Sequence, residues 1–337
     1  MVGWQVFALL GPISRWVLHC HGAFSVDRES FDLKAFRQAT GLLQHGRHPL
    51  VLFPEGEIYH QSDLVMPFRS GVAALAVTAA RDGKRRIVTV PAAIRYEYLE
   101  VVTSRLLEVM TTLERRILLQ PRPDLPLLER LARLAHAVLA IRELDFLGAV
   151  QAGKYVDRLV HLMDSILCRL ERHHKARARD DDVPSRVTHL RHVIILQGEP
   201  LAHDDLHRAA LDRDMEQLNV VMQLYSYLRD FDTDNSRLER QAEMVDKYEE
   251  DVLELPTATK RGDRRAIITF GQPLEVQPSG DRKADIRILT EQLETRVQQL
   301  LDDLHGRRRP SNGSAFEAAP GSNGCNELSP SSCETRR

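Results

Sequence analysis

Cysteine is scarce in this 337-residue chain: Cys20, Cys168, Cys325 and Cys333 are scattered, and no two form a CxxC pair. That spacing excludes a disulfide framework and a thiolate zinc site, and fits a reducing cytoplasm. Excess charge is also missing. Lys and Arg total 46 against 48 Asp and Glu, so no global field draws in nucleic acid or an anionic surface, and any attraction to phosphate is local. No GxxxxGK[ST] or GxGxxG occurs, which argues against nucleotide-fuelled chemistry. The most apolar early stretch, residues 2–20, is broken by Gly11, Pro12 and Arg15. It is too short for a spanning helix and lacks the basic start and cleavage site of a signal peptide.

What is present is an ordinary globular composition, 43% hydrophobic and 28% charged, enough for one large domain or two smaller ones. Both tryptophans, Trp4 and Trp16, fall in the early apolar stretch. Tryptophan favours the membrane–water boundary, so the stretch reads either as a membrane-surface helix or as an amphipathic helix packed on the chain's own sheet.

Residues 21–95 alternate short apolar runs with helical patterns, the mark of βα units around a largely parallel sheet. Strands are expected at residues 23–26, at 50–53, and at 87–90 continuing through 92–94. One helix is expected to start at Ser30 as N-cap and stop at Gly46, and a second, alanine-rich one to run from Ser70 to Arg81 and close at Gly83. From about residue 98 the pattern becomes long helical periodicities, such as Leu127, Leu131, Leu134 and Val138, or Leu159, Met163, Ile166 and Leu170. Breaks fall at 121–126, at the charge switch before Pro184, and near 198–200. A strand at 266–270 and a helix at 289–304 follow. Beyond Arg307 the chain is rich in Pro, Ser, Gly and Asn, as in a disordered tail. The expected division is an α/β core over 1–97, a helical insertion over 98–263, a return to the core over 264–306, and a tail over 307–337.

The segment richest in chemistry is Phe53-Pro54-Glu55-Gly56, at the end of an apolar run, followed eleven residues after Gly56 by Pro67-Phe68-Arg69-Ser70-Gly71. Ligands of open α/β sheets bind at strand ends. A glycine there lets backbone and ligand approach closely, and a glutamate held at the crevice accepts hydrogen bonds from hydroxyls. Arg28 ends the preceding run. It can clamp a phosphate through two parallel hydrogen bonds, or pair with Asp27, Glu29 or Asp32.

In order, GAFSVDR, LVLFPEG, MPFRSG, IVTVPAAI and ITFGQPLEV resemble the sequence blocks of the PlsC-like glycerolipid acyltransferases. The resemblance covers residues 20–97 and 264–304. It implies a mixed sheet flanked by helices, and acyl transfer from acyl-CoA or acyl-ACP to a hydroxyl of a glycerol phosphate or lysophospholipid. Arg28, Glu55, Gly56 and Arg69 would then contact the acceptor and its phosphate, with Phe53, Pro54 and Pro91 lining the cleft. It implies no metal and no redox cofactor. The charge balance argues against nucleic acid, the cysteines fit the cytoplasm, and the Trp-bearing stretch fits a place on the inner membrane face.

Three departures from the family pattern stand out. Glu57 replaces the usual threonine or serine after FPEG, and Ile58-Tyr59-His60 replaces the basic residues that often follow. Roughly 160 residues of helical insertion separate the fourth block from FGQP, far longer than an ordinary connection. The family's histidine-x4-aspartate, which deprotonates the acceptor hydroxyl, has no counterpart before Arg28; His19 and His21 stand at the wrong spacing from Asp27. The pattern reads as a chain that starts just downstream of that motif, or as a family member that binds lipid or phosphate without catalysis and works through its insertion. Two further groups read as structural: adjacent His173 and His174 point about 100° apart on a helix, a solvated basic face rather than metal ligands, and Tyr225, Tyr227 and Phe231 pack a helical core rather than stack on bases.

Overall fold

The computed structural model describes residues 2–3, 11–20, 22–26, 32–83, 85–176, 182–198, 206–231 and 237–305. The tail over 307–337 lies outside them. In chain order the elements are β1 (Val2–Gly3), α1 (Pro12–Cys20), β2 (Ser25–Val26), α2 (Leu33–His45), α3 (Gly71–Arg81), β3 (Val88–Thr89) and β4 (Ala92–Tyr98). Six helices follow: α4 (Thr103–Arg116), α5 (Leu127–Leu147), α6 (Tyr155–His174), α7 (Val183–Gly198), α8 (Leu206–Tyr227) and α9 (Leu238–Leu253). The chain ends in β5 (Arg264–Phe270), β6 (Leu274–Glu275) and α10 (Arg282–His305). The result is a mixed, helix-rich α/β fold.

The strands pair in three two-stranded ladders. β1 and β2 are parallel, β3 pairs antiparallel with β6, and β4 pairs antiparallel with β5 from Ala92–Phe270 to Tyr98–Arg264. The expected largely parallel sheet is therefore corrected: the longest ladder is antiparallel and joins residues on either side of the six helices. The expected single strand through residue 94 is also split. Pro91 has no N–H for a ladder. At that point the chain changes partner, and the Pro91 carbonyl accepts from Gly271 N at 2.9 Å.

Residues 50–53, expected as a buried strand, are extended but pair with no strand among the described residues. Their side chains still alternate. Leu50 and Leu52 pack on Phe24, Ala35 and Ala39, while Val51 and Phe53 are 65% and 72% exposed. Helix α2 starts later than expected: Asp32, not Ser30, is its N-cap, and the Asp32 carboxylate accepts from Ala35 N at 2.8 Å. This satisfies one of the orphan N–H groups of the first turn. Ser30 lies outside the described residues.

α3 and α10 bury Ala73, Ala76, Val77, Leu289 and Leu293 against each other and against Ile87 and Val276. The small alanine face permits this close contact, and α10 also packs on β4 through Leu301 against Ala93 and Val65. The larger apolar cluster lies among α4–α9, where Leu106, Leu131, Leu162, Ile166, Leu218 and Val245 are buried. Two residues of the loop after Gly56, Tyr59 and Met66, are part of it. Tyr225 and Tyr227 are buried there, with Tyr227 stacked on Tyr248 at 4.8 Å, whereas Phe231 sits at the rim, edge-on to Tyr155 at 5.6 Å. Bidentate Arg130–Glu114 bonds of 2.6 and 3.2 Å tie α4 to α5 with both side chains buried.

Candidate functional site

Pro54 and Glu55 form a turn at the end of the extended residues 50–53, and Gly56 follows with φ +76°. The loop closes on itself where Arg69 N donates to Pro54 O at 2.8 Å. The Arg69 side chain then lies across Gly56: a Cβ there would stand 2.6 Å from its Nε and 2.8 Å from its Cδ. Both the positive φ and this approach require glycine.

Glu55 is partly buried beside Gly56. Burial pushes its carboxyl up to about 7, a hydrogen bond with the Met66 backbone works against that rise, and Glu294 of α10 adds to it. Phe53, exposed, stands before the turn; Pro54 is partly buried within it; Pro91 is buried at the junction of β3, β4 and Gly271. The structure thus lays Arg69 on Gly56, with Glu55 the residue before it in the turn. Arg28 lies outside the described residues.

The loop from Glu57 to Phe68 is held from two sides. On one, Glu57 accepts from Arg191 of α7 at 3.2 Å, His60 Nε2 meets Glu250 of α9 at 2.9 Å, and Ser62 N donates to Glu243 at 3.1 Å. Arg237 pairs with Asp63 at 2.8 Å. On the other, α10 accepts from Val65 N through Gln298 at 2.9 Å and from Phe68 N through Glu294 at 3.0 Å. A cleft of about 360 Å³ opens between loop and helices, lined by Glu57, His60, Arg191, Asn219, Lys247 and Glu250 among others. Glu57 stands between two guanidiniums, Arg191 at 3.2 Å and Arg69 at 3.4 Å. Asp251 at the same cleft is pushed up to about 6 by burial, with the Tyr227 hydroxyl donating to it.

Arg191, Glu243 and Glu250 were not legible as site residues. They lie 134, 181 and 190 positions from their loop partners, and nothing local in the sequence marks them. The spacing histidine-x4-aspartate does occur at His207 and Asp212. Both are in α8 and exposed, and five residues of helix turn them about 140° apart. His174 corrects the expectation of a solvated basic face: its side chain is 2% exposed and bonded to Gln197 and Asp214.

Residues 3–95 match the family model Acyltransferase. That segment, under a third of the chain, is similar to the PlsC-like acyltransferases. The match spans the Glu55–Gly56 turn, Arg69 and Pro91 and ends within β4, so the six helices, β5 and α10 lie beyond it. No curated protein and no solved structure matches the chain. The family supports a general acyl-transferring function, and the geometry of the turn shows which of its residues stand together. Among the described residues no helix is long and apolar enough to cross a membrane.

Proposed function

We propose that the chain moves a fatty acyl group from an acyl thioester, acyl-CoA or acyl-ACP, to a hydroxyl of a glycerol phosphate or lysophospholipid. The observation that carries this reading is the Arg69 guanidinium laid across Gly56 next to the partly buried Glu55. A guanidinium offers a fork of donors to phosphate oxygens. Glu55, with its carboxyl raised to about 7, accepts a hydrogen bond from an acceptor hydroxyl when ionised. Together they fix a phosphate and a hydroxyl of one small molecule, and such positioning accounts for much of the rate of a bimolecular displacement. The hydroxyl oxygen attacks the thioester carbonyl, the tetrahedral oxyanion collapses, and the thiolate leaves and takes up the proton as free thiol. Glu55 and Arg69 are assigned binding and orientation, not proton transfer.

Glu57 bears on which acceptor fits. A carboxylate between Arg69 and Arg191 occupies the place an anionic headgroup would take, so the acceptor's phosphate competes with Glu57 for Arg69. A lipid acceptor also needs a route from a bilayer. On α1, Ile13, Trp16 and Val17 form an i, i+3, i+4 stripe that is 77%, 67% and 40% exposed, a pattern suited to lying in the interface. This supports a peripheral membrane location.

The non-catalytic reading, lipid or phosphate binding mediated by the helices, draws support from the ties between the loop and α7–α9. One experiment separates the two: free thiol released from an acyl-CoA on adding lysophosphatidate, read beside vesicle co-sedimentation. Thiol release above the acceptor-free control supports transfer; binding to vesicles without thiol release overturns it in favour of the binding protein.

A further inference from the structure

Three side chains from two distant parts of the sequence, His173 and His174 from one and Asp214 from the other, converge where α6 ends. His174 Nε2 lies 3.0 Å from Asp214 Oδ2, and His173 Nε2 lies 3.8 Å from the same oxygen. One ligand atom from each falls within 4.8 Å of the others. The outer contacts are also built. Gln197 Oε1 of α7 lies 2.8 Å from His174 Nδ1, Gln217 Nε2 donates to Asp214 Oδ1 at 3.1 Å, and Arg169 donates to Gln217 Oε1 at 2.6 Å.

Both ring nitrogens of the buried His174 therefore face oxygens. Gln197 and Asp214 hold the ring so that Nε2 stands at the carboxylate. His173, 63% exposed, turns its Nε2 toward the same oxygen, with its ring edge-on to that of His174 at 4.8 Å. The setting favours positive charge, because α6 and α7 end here with their negative dipole ends.

We propose that His173, His174 and Asp214 bind a divalent first-row transition metal of the zinc class, joining the end of α6 to the middle of α8. Two imidazoles and a carboxylate suit that class rather than magnesium or calcium, which take oxygen ligands. Small rotations of His173 and Asp214 around the fixed His174 bring the donors to the roughly 2 Å bonds zinc requires. The exposed side of His173 leaves a fourth position for water. Gln197 and Gln217 then orient His174 and Asp214 as outer partners. This site is independent of the acyl-transfer reading.

The test is titration of the tag-free full chain with zinc by calorimetry, repeated with cobalt, whose visible absorption reports tetrahedral ligands. One equivalent should bind, and zinc should raise the melting temperature. His173→Ala, at an exposed position, and the near-isosteric Asp214→Asn should each weaken zinc at least tenfold. Gln197→Ala should weaken it about 10–100-fold, as outer partners do. Absence of stoichiometric binding, or unchanged affinity in either His173→Ala or Asp214→Asn, overturns the proposal and leaves a His174–Asp214 hydrogen bond in its place.

Discussion

Glu55 gives the turn a pH dependence of its own. Its carboxyl in the fold titrates near 7 against an ordinary value of 4.5, so the folded chain holds this proton more tightly than the unfolded one. Its stabilising contribution is complete below about 4.5 and is lost as pH rises through 7. Glu55→Gln removes that dependence: the fall in unfolding free energy between pH 5 and pH 8 should shrink by up to about 3 kcal/mol, read by urea titration at both pH values. Activity runs the other way. If ionised Glu55 accepts the acceptor hydroxyl, acceptor KM falls as pH rises through 7, and Glu55→Gln flattens that profile. A Glu55→Gln enzyme with an unchanged KM profile removes Glu55 from the site.

At the scale of elements, the turn at Gly56 depends on its glycine. An alanine there adopts a left-handed φ at a cost of about 1–2 kcal/mol and pushes the Arg69 side chain off its position. Gly56→Ala should therefore lose most phosphate-acceptor transfer while the melting temperature drops by only a few degrees; intact transfer would show that Arg69 is not needed there. The FPEG turn and the glycine's role were legible because the residue types at a run's end carry them. α3, with its alanine face, and α10 were legible from periodicity, though α10 begins seven residues before the expected start. The strand at 50–53 was not, because an alternating extended run shows which side chains turn inward but not whether a partner strand lies beside it. The strand at 266–270 and its return to the core were legible, but not its antiparallel pairing with β4, whose partners lie 166 or more residues apart.

Across the molecule, the Glu55–Gly56 turn, the six helices and α10 are one connected structure. Loop 57–68 contributes Tyr59 and Met66 to the helical core and is hydrogen-bonded to α7, α9 and α10. The integrity of the helices therefore bears on the site. Arg130–Glu114 is the clearest test: removing one partner of a buried pair leaves a charge without compensation and costs about 3–5 kcal/mol. Glu114→Ala should lower stability by that amount in a denaturant titration, and a change below about 1 kcal/mol would mean that water reaches Arg130. The central claim is that Arg69 recognises the phosphate of an acyl acceptor, and it is tested most directly by comparing thiol release with lysophosphatidate and with its phosphate-free counterpart, monoacylglycerol, in wild type and Arg69→Ala. Wild type should prefer the phosphate-bearing acceptor, and Arg69→Ala should lose that preference by about tenfold or more, as for a charged hydrogen-bonding partner worth about 1.5–3 kcal/mol. An Arg69→Ala enzyme that keeps the wild-type ratio between the two acceptors would contradict it.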